Sequence, residues 1–201
     1  MEPNLANQEI DYKVSEGQYF VTKTFVYPNG RAYTETTSTG TLLGWPLFQM
    51  TIGRCPETGR RRVAKAWLAV GRIAFGGIAV GQLGIGIVAI AQLGIGLTFA
   101  LAQLGVSAHT SVAQIGIASK AAYGQLSVAG EEAIGQVAVA RYAMGQVGVG
   151  RYVYDVKRRD HEALEHFAPI LDRMSQWQGG ENRGPLEESP RRREQEPTDP
   201  S

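Results

Sequence analysis

The chain has 201 residues, 43% of them hydrophobic, and a formal net charge of +1. So balanced a charge gives no global attraction to nucleic acid or to acidic partners. The single cysteine, Cys55, excludes an intramolecular disulfide framework and cannot build a zinc site alone. Placement says more than the sum: residues 73–119, a run of 47 positions, contain no Asp, Glu, Lys or Arg.

The first nine residues read as a flexible leader. They show neither the basic region nor the apolar core of a secretory signal, so a cytoplasmic location is expected. Tyr19 to Thr37 has the pattern of a β-hairpin, with aromatic and β-branched runs on either side of Pro28-Asn29-Gly30, a turn that supplies positive φ. Leu42 to Gly53 is a second apolar stretch, broken at Pro46. Gly53 to Arg60 is a loop on its Gly and Pro signals. Residues 10–66 are therefore expected to form an all-β region that caps the repetitive segment beginning at 67.

From Ala69 one phrase recurs eight times: small–apolar–small–Gln–apolar–small–apolar–small. Its fourth position is Arg72, then Gln82, Gln92, Gln103, Gln114, Gln125, Gln136 and Gln146, at steps of 10 or 11 residues. Self-similarity at so short a period marks a stacked, quasi-one-dimensional fold. Apolar positions alternate within each copy, as at Leu83, Ile85 and Ile87, which is the period of a strand. The expected fold class is all-β: a β-solenoid of eight 10–11-residue repeats over 67–154, about two repeats per coil, between an N-terminal β-hairpin region and a C-terminal helical cap. The large apolar side chains, Ile95 among them, are expected to point inward and leave a nearly bare Gly/Ala/Gln surface outside. The recurring glutamines would then stack as a structural ladder of amide bonds.

After the repeats, Arg151 to Tyr154 reads as a last strand. Asp160 to Trp177 is amphipathic at helical spacing, with Pro169 either kinking one helix or dividing two. An open solenoid end exposes unpaired backbone groups, and residues 155–178 are expected to cover one. Residues 179–201 are rich in Gly, Pro, Glu and Arg and read as a disordered tail.

No catalytic residue, cofactor or metal is expected. His161 and His166 stand five apart and do not share the helix face of an i, i+4 metal pair. His109 sits at a coil corner without an acidic neighbour in sequence, and Cys55 has no evident histidine partner. Arg60, Arg61, Arg62 and Lys65 are candidates for contact with an anion or a lipid surface; the alternative is a solvated strand edge protected by its charges.

The lead-in Leu43-Gly44-Trp45-Pro46-Leu47, then Gly53 through Lys65 and Trp67, running into Ala–apolar–Gly–Gln copies, resembles a group of uncharacterised bacterial proteins with short Gly/Ala/Leu repeats. The likeness covers residues 42–150. A weaker one is to pentapeptide-repeat solenoids, from which this chain departs by lacking a regular Asp/Asn position, and to bactofilin-type β-solenoids with disordered tails. The first group has no established function, and the bactofilin likeness is one of architecture alone. The expected function is a non-enzymatic structural or scaffolding protein that self-associates, into filaments among other forms, through an uncharged Gly/Ala/Gln face. The alternative is a membrane-associated protein, either peripheral or crossing as a two-span hairpin at 73–112, whose lengths of ~20 apolar residues suit a bilayer. Expected partners are the chain itself and a membrane surface, without nucleic acid.

Overall fold

In a computed structural model, residues 10–179 are described. The leader expected at 1–9 and the tail expected at 179–201 lie outside them, apart from Gly179. Within these limits the chain is almost entirely strand until its final helix, and it forms an all-β solenoid.

The N-terminal region is antiparallel. β1 (Lys13–Glu16) pairs with β2 (Phe20–Val26), which pairs with β3 (Ala32–Ser38). The turn between the last two is the one the sequence announces: Gly30 has φ 77°, and the Asn29 side-chain oxygen accepts from the Arg31 N–H at 3.1 Å. A two-residue hairpin comes next, made of β4 (Thr41–Leu42) and β5 (Trp45–Pro46), with Leu43 and Gly44 both at positive φ. β6 (Phe48–Ile52) then runs antiparallel to β3 on one side and parallel to the next strand on the other. It is the seam between an antiparallel sheet and a parallel stack.

A buried polar cluster fastens this seam. Glu35 accepts from the Tyr33 hydroxyl (2.9 Å), the Gln49 amide (2.8 Å) and the Arg62 guanidinium (3.0 Å). Burial first, and then the bond to Glu35, push the Tyr33 hydroxyl well above the usual phenol value. Burial alone would lower Arg62; the Glu35 charge reverses this and leaves it raised. Glu35→Ala is therefore expected to cost about 2 kcal/mol by urea denaturation. That is less than a fully buried pair, because Arg62 is half exposed.

The solenoid is β7 (Ala64–Ser107), β8 (Thr110–Ala118), β9 (Ala121–Ala129), β10 (Glu132–Val139), β11 (Tyr142–Val149) and β12 (Tyr152–Tyr154), each parallel to the next. The register fixes the coil. Thr110 pairs with Phe99 and with Ala121, and Glu132 pairs with Tyr142, so stacked partners stand 10 or 11 residues apart. Only two residues separate β8 from β9. Parallel neighbours ordinarily need a crossover of a dozen or more, so each strand must itself wind once around the axis. One repeat makes one turn, and the expected two repeats per coil is corrected to one.

So tight a coil inverts the expected packing. The buried column holds Ala69, Ala74, Ala79, Ala89, Ala100, Ser111, Ala122, Ser127, Ala133, Ala138 and Ala143, with Gly84, Gly94, Gly105 and Gly116 buried between them. Opposite walls of a coil nearly touch: a methyl placed on Gly105 would lie 3.5 Å from the Ala100 Cβ. Stacked sheets usually stand ~10 Å apart, and here there is no room for a larger side chain. Ile95, expected inside, is 44% exposed, and Leu93, Leu104, Ile115 and Ile117 are similarly exposed. Apolar residues face out and small ones face in.

Two carboxylates finish the last turn. Asp155 accepts from the backbone N–H groups of Gly148, Lys157 and Arg158, and Asp160 accepts from that of Val153. The Gly148 N–H foremost holds Asp155, and the Val153 N–H foremost holds Asp160, below the usual carboxylate range. Depressed folded values mean that their stabilisation is present above about pH 4 and is lost as pH falls through those lower values. An Asp155→Asn/Asp160→Asn chain should melt below the wild type at pH 7, and the gap should close in acid.

α1 (His161–Gly179) is one continuous helix with Pro169 inside it, so the division into two helices does not occur.

Candidate functional site

With the interior closed, the outer surface carries whatever this fold can do. Register sorts it into columns. Two belong to a first wall: Phe99, Thr110, Ala121, Glu132 and Tyr142 in one, Leu101, Val112, Tyr123, Ile134 and Met144 in the other. Two belong to a second wall: Leu104, Ile115, Leu126, Val137 and Val147, and beside them Val106, Ile117, Val128, Val139 and Val149. The same repeat positions in β7 put Ile78, Val80, Val88 and Ile90 on the first wall and Ile73, Phe75, Leu83, Ile85, Leu93 and Ile95 on the second.

The two walls differ. The second is aliphatic or aromatic in all eight repeats. The first is aliphatic or aromatic only as far as Leu101, then admits Thr110 and Glu132. Tyr142 and Tyr152 stack at 5.0 Å between centroids. Burial first, then a hydrogen bond to Glu132, raise the Tyr123 hydroxyl above its usual value. The corner after the second wall changes in the same sense, from Ile87 and Leu97 in early turns to His109, Lys120, Glu131, Arg141 and Arg151 in later ones.

Gln82, Gln92, Gln103, Gln114, Gln125, Gln136 and Gln146 occupy the opposite corner, all exposed. The Arg72 guanidinium donates to the Gln82 side-chain oxygen; among the described residues no amide-to-amide bond joins these glutamines. Of the basic residues singled out from sequence, Arg62 is held by Glu35, and Arg60 and Lys65 are exposed. Arg61 lines a hollow together with Arg31, Arg54 and Arg72. The four do not form one patch. His109 is exposed, its Nδ1 2.8 Å from the Thr110 hydroxyl, and Cys55 is buried.

Sequence reasoning missed the hairpin tip. Leu43 is 83% exposed at φ 53°, a conformation that usually belongs to Gly or Asn. Trp45 lies against Phe75 at 5.7 Å, and the Trp67 indole donates to the Leu42 carbonyl at 2.8 Å. Together with Ile85, Ile87 and Leu97 these rings wall an apolar groove of about 390 Å³ floored by glycines. The signal was present in the chain, as two leucines and a tryptophan around a turn.

No helix of the described residues is long and apolar enough to cross a membrane, and 73–112, considered for a two-span hairpin, is solenoid strand. Comparison with protein-family models, with curated proteins and with solved structures returns no match.

Proposed function

We propose that this chain is a non-enzymatic structural β-solenoid that associates with membranes, its charge-free turns lying in the hydrocarbon. The observation that carries this reading is the outward direction of the large apolar side chains. From Ile73 to Leu101 they clothe both walls and one corner, leaving polar only the Arg72–glutamine corner and Thr98, whose hydroxyl donates to the Ile87 carbonyl. An interior of Ala, Gly and Ser yields little hydrophobic stabilisation, at about 0.8 kcal/mol per buried CH₂. The large remaining area calls for a cover, and lipid reaches both walls at once.

Backbone chemistry permits it. Turn-to-turn bonds such as Glu131 N–H to Lys120 O (3.1 Å) and Tyr152 N–H to Arg141 O (2.9 Å) recur along the stack. Satisfying backbone groups internally is what a bilayer demands of a segment within it. At ~4.8 Å per turn the charge-free turns amount to roughly 21 Å, against about 30 Å of hydrocarbon. That is more than one leaflet. Trp45 and Trp67 lie toward one margin and Tyr123, Tyr142 and Tyr152 beyond the other, the residue types that favour membrane interfaces. Protein prepared without detergent should float with phosphatidylcholine vesicles on a density gradient. Protein that stays at the bottom, monodisperse in buffer, would defeat the reading.

One observation favours a second reading, self-association. The second wall stays apolar beyond Lys120, through Leu126, Val137 and Val147 to Val149, where the neighbouring corner is charged. Two copies pairing these walls would bury what lipid does not. Sedimentation in lipid-free buffer separates the two: a concentration-dependent dimer or fibre supports pairing.

A further inference from the structure

The apolar groove beside the hairpin lies where the corner column lacks a side chain. Gly77 holds the place in its repeat that Ile87 and Leu97 hold in the next two and Trp67 in the turn before. A methyl placed on Gly77 would come within 2.9 Å of both Cε3 and the carbonyl oxygen of Trp67, so the glycine lets the indole lie against the backbone. The Trp67 N–H in turn pins the Leu42 carbonyl, and Trp45, past the turn, rests on Phe75. Glycine, indole and hairpin are one construction, and it frames a groove of about 390 Å³ instead of filling it. Leu43 closes one side from a φ of 53°, a conformation that Asn adopts more readily. Among the described residues no charged, hydroxyl or amide side chain lines the groove.

We propose that this groove seats one acyl chain of a bilayer phospholipid, whose head group stays outside it. The proposal rests on the membrane reading and adds a bound ligand and its site. Volume sets the occupant. A cavity of ~150 Å³ takes one benzene, so at the same density about 390 Å³ holds roughly fifteen carbons, one fatty chain and not two. Direction agrees with this. Trp67, Gly77, Ile87 and Leu97 follow one another along the stack at ~4.8 Å per turn, about 14 Å in all. A chain among them runs parallel to the solenoid axis, as lipid chains do beside turns that cross the hydrocarbon. Phe75 and Ile85 belong both to the groove and to the second wall, so the groove opens on the surface assigned to lipid. A free fatty acid meets no cation there for its carboxylate; a phospholipid, with its head in the interface, requires none.

The test floats the full chain on phosphatidylcholine vesicles doped with stearic acid, releases it into mild detergent and reads the retained mass by native mass spectrometry. Wild type, Leu43→Asn and Leu47→Asn are compared. Asparagine suits the positive φ at position 43, so the hairpin should hold, which an unchanged far-UV spectrum checks. Leu47 is an exposed leucine of the same lead-in that does not line the groove, and it supplies the matched control. Wild type and Leu47→Asn should each retain one phosphatidylcholine per chain. In Leu43→Asn the retained fraction should fall about tenfold, the loss expected when one leucine no longer covers the chain, while flotation stays nearly unchanged. Equal retention by the two variants, or several lipids per chain, would overturn the site. Stearate retained in place of the phospholipid would overturn the bilayer lipid as the source of the chain. A wild type that floats and retains nothing sinks this proposal and leaves the membrane reading standing; one that does not float sinks both.

Discussion

Ala100→Leu is expected to unfold the middle of the solenoid. Ala100 is fully buried, and the Gly105 position across the coil leaves only a methyl's clearance. Overpacking commonly costs about 1–3 kcal/mol where neighbours can shift. Here the neighbours are side chains no longer than Ser111 and Ala113, which have no rotamer to swing aside and are held by turns above and below, so the loss should reach or exceed about 3 kcal/mol. In a stack where each turn contacts only its neighbours, one open turn also uncouples the two halves. Far-UV circular dichroism through a urea titration should show a lowered midpoint or a second transition. Ala100→Gly, which imitates the opposite column, should cost about 1 kcal/mol or less. A leucine variant that melts like wild type would mean that the interior is not closed.

The second large effect is the converse, a substitution that spares the fold and removes the function. Ile95 projects from the second wall at 44% exposure. Ile95→Asp should leave the β spectrum and the melting midpoint nearly intact in lipid-free buffer. Transferring the same side chain into hydrocarbon costs about 3 kcal/mol on insertion scales, on the order of a hundredfold in partition. Flotation with phosphatidylcholine vesicles should fall accordingly. Collapse of the fold instead would restore Ile95 to the interior; unchanged flotation would remove the second wall from the lipid contact.

These two substitutions mark what the sequence made legible and what it did not. The repeat, its strand period and its start near Trp67 are readable because alternation and phase are properties of the chain alone. Direction is not, since alternation gives two faces without saying which is inside. The tie is broken by volume. Along the column that runs from Ala69 through Ala74 and Ala79 to Gly148, every position is Ala, Gly or Ser, with no exception for a larger residue. The positions between them accept Phe75, Thr110, Tyr123 and Glu132. A column that tolerates nothing large is enclosed, and a column that tolerates glutamate is not. The habit of placing leucine in the core hid this, and the same habit doubled the expected coil, because large residues inside would need a wider one. The arginine hollow was less legible still. Arg31, Arg54, Arg61 and Arg72 are scattered along the first third of the chain, and only the meeting of β6 with β3 and β7 gathers them.

The dual pairing of β6 also sets how the molecule is built. A strand already held by β3 offers its free edge to Leu68 through Gly71, and each later turn docks on one completed 10 or 11 residues before. Every closure therefore spans the same short loop, whose entropic cost does not grow as the stack lengthens. Assembly is a zipper with its first tooth fixed, and the contacts it needs are local ones, which favours rapid folding. A chain of this kind can wind in step with its own synthesis, each turn locking once the next dozen residues have emerged.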